Sequence, residues 1–298
     1  MIVGDIKIPV PWGYIAGKTW GNEGNSKVLV LHGRFDNVES FAELIPLLPQ
    51  SYRYVAIDLP GHGKSSHFPK NIDCTYWDFI VAIRLVVRFV KEDTIILLGH
   101  SFGGGLLLTY TQLYPQDVSK LILIDANYYR AFETKIFKTY SKYHFEGVSN
   151  LLMKVSTGDQ TRTFTYEEGL KTFLARRMYG AINKKSAEKI YNRNLLEIDD
   201  GKYKLSGDLR IKIYPYFILH ANSIDLLMKM YPIHCPILSI VASRSEMPSP
   251  DRQYLAKLEK IYSKCVTKFV EGNHHVHANS PEIVAPLICD FLKPKSNL

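Results

Sequence analysis

Six short apolar runs constrain the fold of this chain more than any other feature: "KVLVLHG" (27–33), "YRYVAIDL" (52–59), "TIILLGH" (94–100), "KLILIDA" (120–126), "CPILSIVAS" (235–243) and "CVTKFVEG" (265–272). Most are continuous β-branched or leucine-rich stretches, the pattern of strands buried on both faces of a parallel sheet. Amphipathic segments lie between them. "YWDFIVAIRLVVRFVKE" (76–92) sets apolar residues at helical spacing and puts Arg84, Arg88 and Lys91 on the opposite side. "SPDRQYLAKLEKIYS" (249–263) and "SPEIVAPLICDFLK" (280–293) also read as helices, the second with Ser280 at its N-cap and Pro281 at its first position. Strands alternating with helices predict an α/β protein with right-handed crossovers.

Residues 127–230 break that rhythm. They are rich in Tyr, Lys and Arg and show helical periodicity without a convincing buried strand; "DDGKYKLSGDLRIK" (199–212) reads as a hairpin or a loop. The expected organisation is a core of residues 1–126 and 231–298, with 127–230 inserted as a mainly helical lid. Nearly all of the net charge of +8 belongs to this middle segment, where residues 126–230 hold 18 Lys and Arg against 11 Asp and Glu, or +7. No nucleic-acid-binding motif accompanies the charge, so nucleic acid is not an expected partner. The simplest reading is a solvated basic face; attraction of acidic or acyl-carboxylate substrates, or of a membrane surface, is the functional alternative.

No segment approaches the ~18 uninterrupted apolar residues of a membrane span, and "MIVGDIKIPVPWG" has no signal-peptide pattern. Stable membrane insertion is therefore not expected. Cys74, Cys235, Cys265 and Cys289 are scattered without a CxxC pair. They predict reduced thiols in a cytoplasmic protein rather than a disulfide scaffold or a zinc site. The final "SNL" only loosely resembles a peroxisomal Ser-Lys-Leu signal. Oligomeric state leaves no readable trace.

The chemistry centres on "TIILLGHSFGGGL" (94–106), where a buried strand stops at a lone serine among glycines. A Gly-x-Ser-x-Gly between strand and helix marks a sharp turn that thrusts the serine hydroxyl out of the sheet. Gly99 and Gly103 let neighbouring backbone approach, Gly104 and Gly105 favour close helix packing, and the helix N-terminus favours developing negative charge. Ser101 is the expected nucleophile. It needs a base, and "VEGNHHVHANSPE" offers His274, His275 and His277. His274, directly after the last strand and turn, is the expected base; His275 and His277 are the alternatives and candidate pocket residues. An oxyanion needs two donors. The expected ones are the N–H groups of Phe102, just after the nucleophile, and Arg34, in the loop after "KVLVL". The Arg34 guanidinium is expected to pair with Asp36 or Asp58, with a substrate carboxylate as its functional alternative.

Together "VLVLHGRFDNVESF", "VAIDLPGHGKSS", "LLGHSFGGG" and "EGNHHVHANSPE" resemble the α/β-hydrolase superfamily, and within it the serine hydrolase-like proteins. The resemblance covers roughly 1–126 and 231–298. It implies an eight-stranded, mostly parallel sheet, a Ser-His-acid triad, and no cofactor or metal. It also implies structural roles for Asp58, His62 and Ser65, with a place in the pocket as the alternative for His62. The acid departs from the family pattern: its usual slot, after "CPILSIVAS", falls on Ser245. Glu246, one residue later, is the first choice for the acid, Asp125 at the end of "KLILIDA" the second, and Asp251 a distant third. The expected function is hydrolysis of a carboxylic ester or similar acyl substrate through an acyl-enzyme. Lid aromatics (Tyr128, Tyr129, Phe132, Tyr140, Tyr143, Phe173, Tyr179) are expected to make its pocket apolar. The rival is a ligand-binding or sensing protein on the same fold, which the irregular acid motif favours. Relatives that open epoxides or carbon–halogen bonds use an aspartate where Ser101 stands, so those chemistries are not expected.

Overall fold

The computed structural model describes residues 1–70, 74–126, 131–132, 137–157, 163–213, 219–247 and 258–294. The first half builds β1 (Val3–Val10), β2 (Gly13–Trp20), β3 (Ser26–Leu31), β4 (Tyr52–Ile57), α1 (Tyr76–Val90), β5 (Ile95–His100), α2 (Ser101–Leu113) and β6 (Val118–Ile124). The middle carries β7 (Ala131–Phe132), α3 (Phe137–Ser156), α4 (Tyr166–Ala175), α5 (Lys184–Arg193), the hairpin β8 (Leu195–Asp199) and β9 (Lys202–Leu205), β10 (Leu219–His220) and α6 (Ala221–Met230). Then come β11 (Ile237–Ala242), β12 (Cys265–Val270), a short helix Val276–Asn279 and a C-terminal helix Pro281–Leu292.

Eight strands form one sheet in the order β1-β2-β4-β3-β5-β6-β11-β12. β1 and β2 form an antiparallel pair at one edge, β2 runs antiparallel to β4, and all other neighbours are parallel. Strand periodicity explains the layering. Leu29, Leu31, Leu97, Leu121 and Leu123 pack on one face with Phe79, Ile83 and Val86 of α1 and Leu106 and Leu107 of α2. Their alternates Val28, Val30, Leu98, Ile122 and Ile124 pack on the other with Phe41, Val284 and Ile288. Both faces are covered, so the central stretches Val28–Leu31, Ile95–Leu98 and Leu121–Ile124 are apolar throughout.

The helix predicted over 76–92 ends at Val90, with a capping box between Thr75 and Asp78 and Lys91 in the left-handed conformation. Pro281 opens the last helix as expected, but Ser280 makes no side-chain capping bond. Of the helix predicted over 249–263, residues 249–257 lie outside the described residues, and 258–261 are helical. The four cysteines are free. No helix among the described residues is long and apolar enough to cross a membrane.

Among the described residues between β6 and β11, helical residues outnumber strand residues. The stretch predicted as a hairpin or a loop over 199–212 holds the turn and second strand of the hairpin Leu195–Leu205, followed by the short turn Leu209–Lys212. The segment is clasped to the core by a buried ion pair. The Asp58 carboxylate accepts the Val38 N–H at 3.0 Å, the Lys64 N–H at 2.9 Å and the Arg193 Nε–H at 2.8 Å. The Ser65 hydroxyl donates to the Asp58 carbonyl at 2.6 Å and accepts the Ala16 N–H at 2.8 Å. These contacts are structural, in keeping with what the "DLPGHGKSS" resemblance implies. Removing one partner of a buried pair leaves an uncompensated charge, at a cost of about 3–5 kcal/mol. Arg193→Ala is therefore expected to lower stability by that amount; a urea midpoint equal to wild type would contradict it.

Candidate active site

β5 ends at His100 and α2 begins at Ser101, whose φ is 51°. A serine in the left-handed region costs on the order of 1–3 kcal/mol and survives only where its surroundings enforce it. Two glycines do so here. A Cβ on Gly99 would sit 2.6 Å from the Gly104 Cα, and one on Gly103 would sit 2.4 Å from the His32 carbonyl oxygen. The helix can thus press against the sheet, and the turn between them must be tight.

Past β12 the chain turns through Gly272 and delivers His274, just before the short helix Val276–Asn279. Its Nε2 lies 2.8 Å from Ser101 Oγ, and its Nδ1 lies 2.6 Å from Asp125 Oδ2. Asp125, at φ 40°, directly follows β6 and is fully buried. Its carboxylate also accepts the Ala242 N–H at 3.0 Å and the Ser245 Oγ–H at 2.6 Å. The His274 ring thus meets Asp125, the second choice for the acid, and not Glu246, the first. Glu246 is exposed and lines a separate shallow cleft with Arg244, Gly272 and Asn273, while both ring nitrogens of His274 are engaged elsewhere. Asp251 lies outside the described residues. Ser245, in the slot where the family pattern would put the acid, donates its hydroxyl to the Asp125 carboxylate.

Neutral imidazoles surround His274. His100 Nε2–H donates to the His274 carbonyl at 2.9 Å, fixing the backbone that carries the ring. His275 Nε2–H donates to the Met178 carbonyl at 2.9 Å, and its Nδ1 faces Arg177 at 3.3 Å. His277 is fully buried, with its ring 3.9 Å from that of His100. Burial holds His100 well below the usual histidine range and lowers His275 and His277 to about 3. A proton arriving on His274 thus meets no cationic imidazole. His275 lines the cavity and His277 does not; sequence gave no hint of the His100 contact beyond its place in the turn.

Above Ser101 opens a cavity of about 790 Å³. Gly33, Arg34, Phe102, His274 and His275 line it beside the serine. The amides of Phe102, in the first turn of α2, and Arg34, beside Gly33, belong to this region. A Cβ on Gly33 would lie 3.1 Å from that of Ser101, which places the loop against the serine. The Arg34 guanidinium does not take the expected acids: Asp36 pairs with Arg177 at 2.7 Å, and Asp58 with Arg193. Instead Arg34 contacts Met178 Sδ at 3.6 Å and lies over the Phe35 ring. Burial pushes the Asp36 carboxyl up, but the guanidinium of Arg177 outweighs it and holds the group below its ordinary value. Of the predicted lid aromatics, Phe173 and Tyr179 line the cavity, Tyr140 does not, and Tyr143 is exposed. Tyr128, Tyr129 and the Phe132 side chain lie outside the described residues. His62 lines the cavity as well. Among the described residues no group of three or more His, Cys, Asp or Glu side chains is arranged to hold a metal ion.

A hydroxyl, an imidazole and a buried carboxylate in hydrogen-bonded series on an eight-stranded sheet define a class, and comparison agrees: the chain belongs to the α/β hydrolase fold family, whose sequence model matches residues 27–281. Within that family it is similar to the serine hydrolase-like protein of Mus musculus (33% identity, covering 97% of this chain and 95% of that one). The serine hydrolase-like protein of Danio rerio is 30% identical, covering 98% and 89%. Among solved structures, the thioesterase domain from the curacin biosynthetic pathway matches with a TM-score of 0.81 at 21% identity over 97% and 100% of the two chains. At that identity the likeness is one of fold. The chain is accordingly a hydrolase-family protein of the α/β-hydrolase fold, resembling the serine hydrolase-like proteins.

Proposed function

We propose that this protein is a serine hydrolase cleaving a carboxylic ester or similar acyl substrate, with Ser101 as nucleophile, His274 as base and Asp125 as the acid. One observation carries the reading: the unbroken series Ser101 Oγ, His274 imidazole, Asp125 carboxylate, at 2.8 and 2.6 Å. Ser101 Oγ attacks the carbonyl carbon while His274 Nε2 takes its proton. The tetrahedral oxyanion accepts hydrogen bonds from the Phe102 and Arg34 amides, where the N-terminus of α2 also favours negative charge. His274 then returns the proton to the departing oxygen, leaving the acyl group on Ser101. Water then attacks the acyl carbon as it gives a proton to His274, and His274 returns that proton to Ser101 Oγ as the acid leaves. Asp125 keeps the ring in the tautomer with its proton on Nδ1 and stabilises the imidazolium, and Ser245 and the Ala242 amide hold that carboxylate in place. The segment between β6 and β11 acts as the lid over this cavity, and no cofactor takes part.

The intact acid weakens the reading as a non-catalytic ligand-binding protein, which rested on an irregular motif. The test is hydrolysis of short p-nitrophenyl esters. Wild type is expected to turn them over, and Ser101→Ala to fall by at least about 10⁴-fold. Equal rates for the two proteins would overturn the assignment.

A further inference from the structure

The same cavity is basic where it meets solvent, and its charges divide sharply into spent and unspent. Asp36 and Asp208 are each taken by a buried guanidinium, from Arg177 at 2.7 Å and Arg210 at 2.6 Å. Glu168 caps α4, accepting the Thr165 N–H at 3.0 Å. Lys154, Lys171, Arg176 and Lys212 also line the cavity and are exposed, and none has an ion-pair partner among the described residues. They come from α3, α4, the residue after α4 and the turn Leu209–Lys212. Other lysines of the same segment do find acids: Lys185 and Lys189 reach Glu43, and Lys184 reaches Glu188. Four like charges from separate elements around one opening repel one another, so the fold gains nothing from grouping them there. A ligand of opposite sign would gain.

We propose that the substrate is an anionic acyl compound, with its scissile carbonyl at Ser101 and a carboxylate or phosphate group held at the rim by Lys154, Lys171, Arg176 and Lys212. This rests on the hydrolase reading of the site. Inside, Phe102, Phe173 and Ile211 offer apolar walls for the rest of the molecule. Such walls focus the field of the rim charges, and fields of this kind raise the capture of a charged substrate by roughly 10–10³-fold. The charges are exposed, so the effect is screened by salt.

The test uses two matched ester pairs. In one, a monoester of adipic acid is compared with the uncharged hexanoate ester of the same alcohol, placing the anion on the acyl side. In the other, an acyl ester of a phosphorylated alcohol is compared with its unphosphorylated twin, placing it on the leaving side. At low salt one anionic member is expected to exceed its neutral twin in kcat/KM by about 10-fold or more, and the pair that shows it identifies which half carries the charge. The advantage should collapse at high salt and in the combined variant Lys154→Gln/Lys171→Gln/Arg176→Gln/Lys212→Gln. Equilibrium binding to Ser101→Ala supplies a readout independent of turnover and of that variant's folding. Preference for the anion there, with no hydrolysis by wild type, sinks the hydrolase reading and leaves the anion site standing. Equal rates and equal binding for both members of each pair overturn the proposal. So does salt-sensitive retention on phosphatidylglycerol vesicles without discrimination among the soluble esters, which assigns the cations to a membrane surface.

Discussion

Asp125→Asn is expected to lower ester turnover by about 10⁴-fold, or roughly 5–6 kcal/mol of barrier, while the protein stays folded. An amide at this position can present its NH₂ to His274 Nδ1 and reverse the tautomer, so that Nε2 carries the proton and cannot take one from Ser101. Both strand ends that could supply the acid adjoin His274, because β6 and β11 are sheet neighbours. The outcome therefore depends on reach. Asp125 is fully buried and bonded to the ring, whereas Glu246 is exposed in another cleft. Glu246→Gln should keep activity within about twofold of wild type, the usual scale for a surface change remote from the site. Steady-state kinetics of the two variants side by side decide the matter; the reverse ranking would return the acid to Glu246.

The second large effect is acid sensitivity. Burial lowers His32 to about 4, lowers His62, His275 and His277 to about 3, and holds His100 well below the ordinary value of 6.5. Between those values and 6.5 the unfolded chain binds protons that the folded chain refuses, so stability falls as pH drops through about 6.5. Each such histidine costs about 1 kcal/mol between pH 6.5 and 5.5, and the five together about 5 kcal/mol. That rivals the whole stability of a typical domain, about 5–15 kcal/mol. Asp36 and Asp208 titrate below their ordinary value of 3.8, so their protonation destabilises the fold only at lower pH. Urea midpoints are expected to drop steeply from pH 7 to 5.5. A midpoint that does not change over this range would show that these rings are not held neutral.

Much of the fold was legible because burial on both faces leaves a strong signature. The stretches Val28–Leu31, Ile95–Leu98 and Leu121–Ile124 are apolar at every position, Ile237–Ala242 is interrupted only by Ser239, and all four became strands of the sheet interior. The edge pair β1–β2 was not read from the residues; Val3, Tyr14 and neighbouring positions are exposed, and the chain there lacks a continuous apolar run. Ser101 and His274 were legible from local context, a glycine-flanked turn and a strand end. The acid was not, since its identity depends on which of two adjacent strand ends extends a side chain to a ring from a third. A physical signal was present all the same: an acid directly following the wholly apolar "LILI" is costly to bury unless it is bonded. The partners of Asp36 and Asp58 lie between β6 and β11, 141 and 135 residues away, beyond the range of any periodicity. Those pairings took from Arg34 the acids that its nearness in sequence had suggested.

An activated Ser101 should react covalently with a fluorophosphonate. One adduct per folded chain is predicted, located by mass spectrometry on the peptide containing Ser101, with labelling reduced to background in His274→Gln. A folded protein that takes up no label, or takes it up on another residue, would contradict the account.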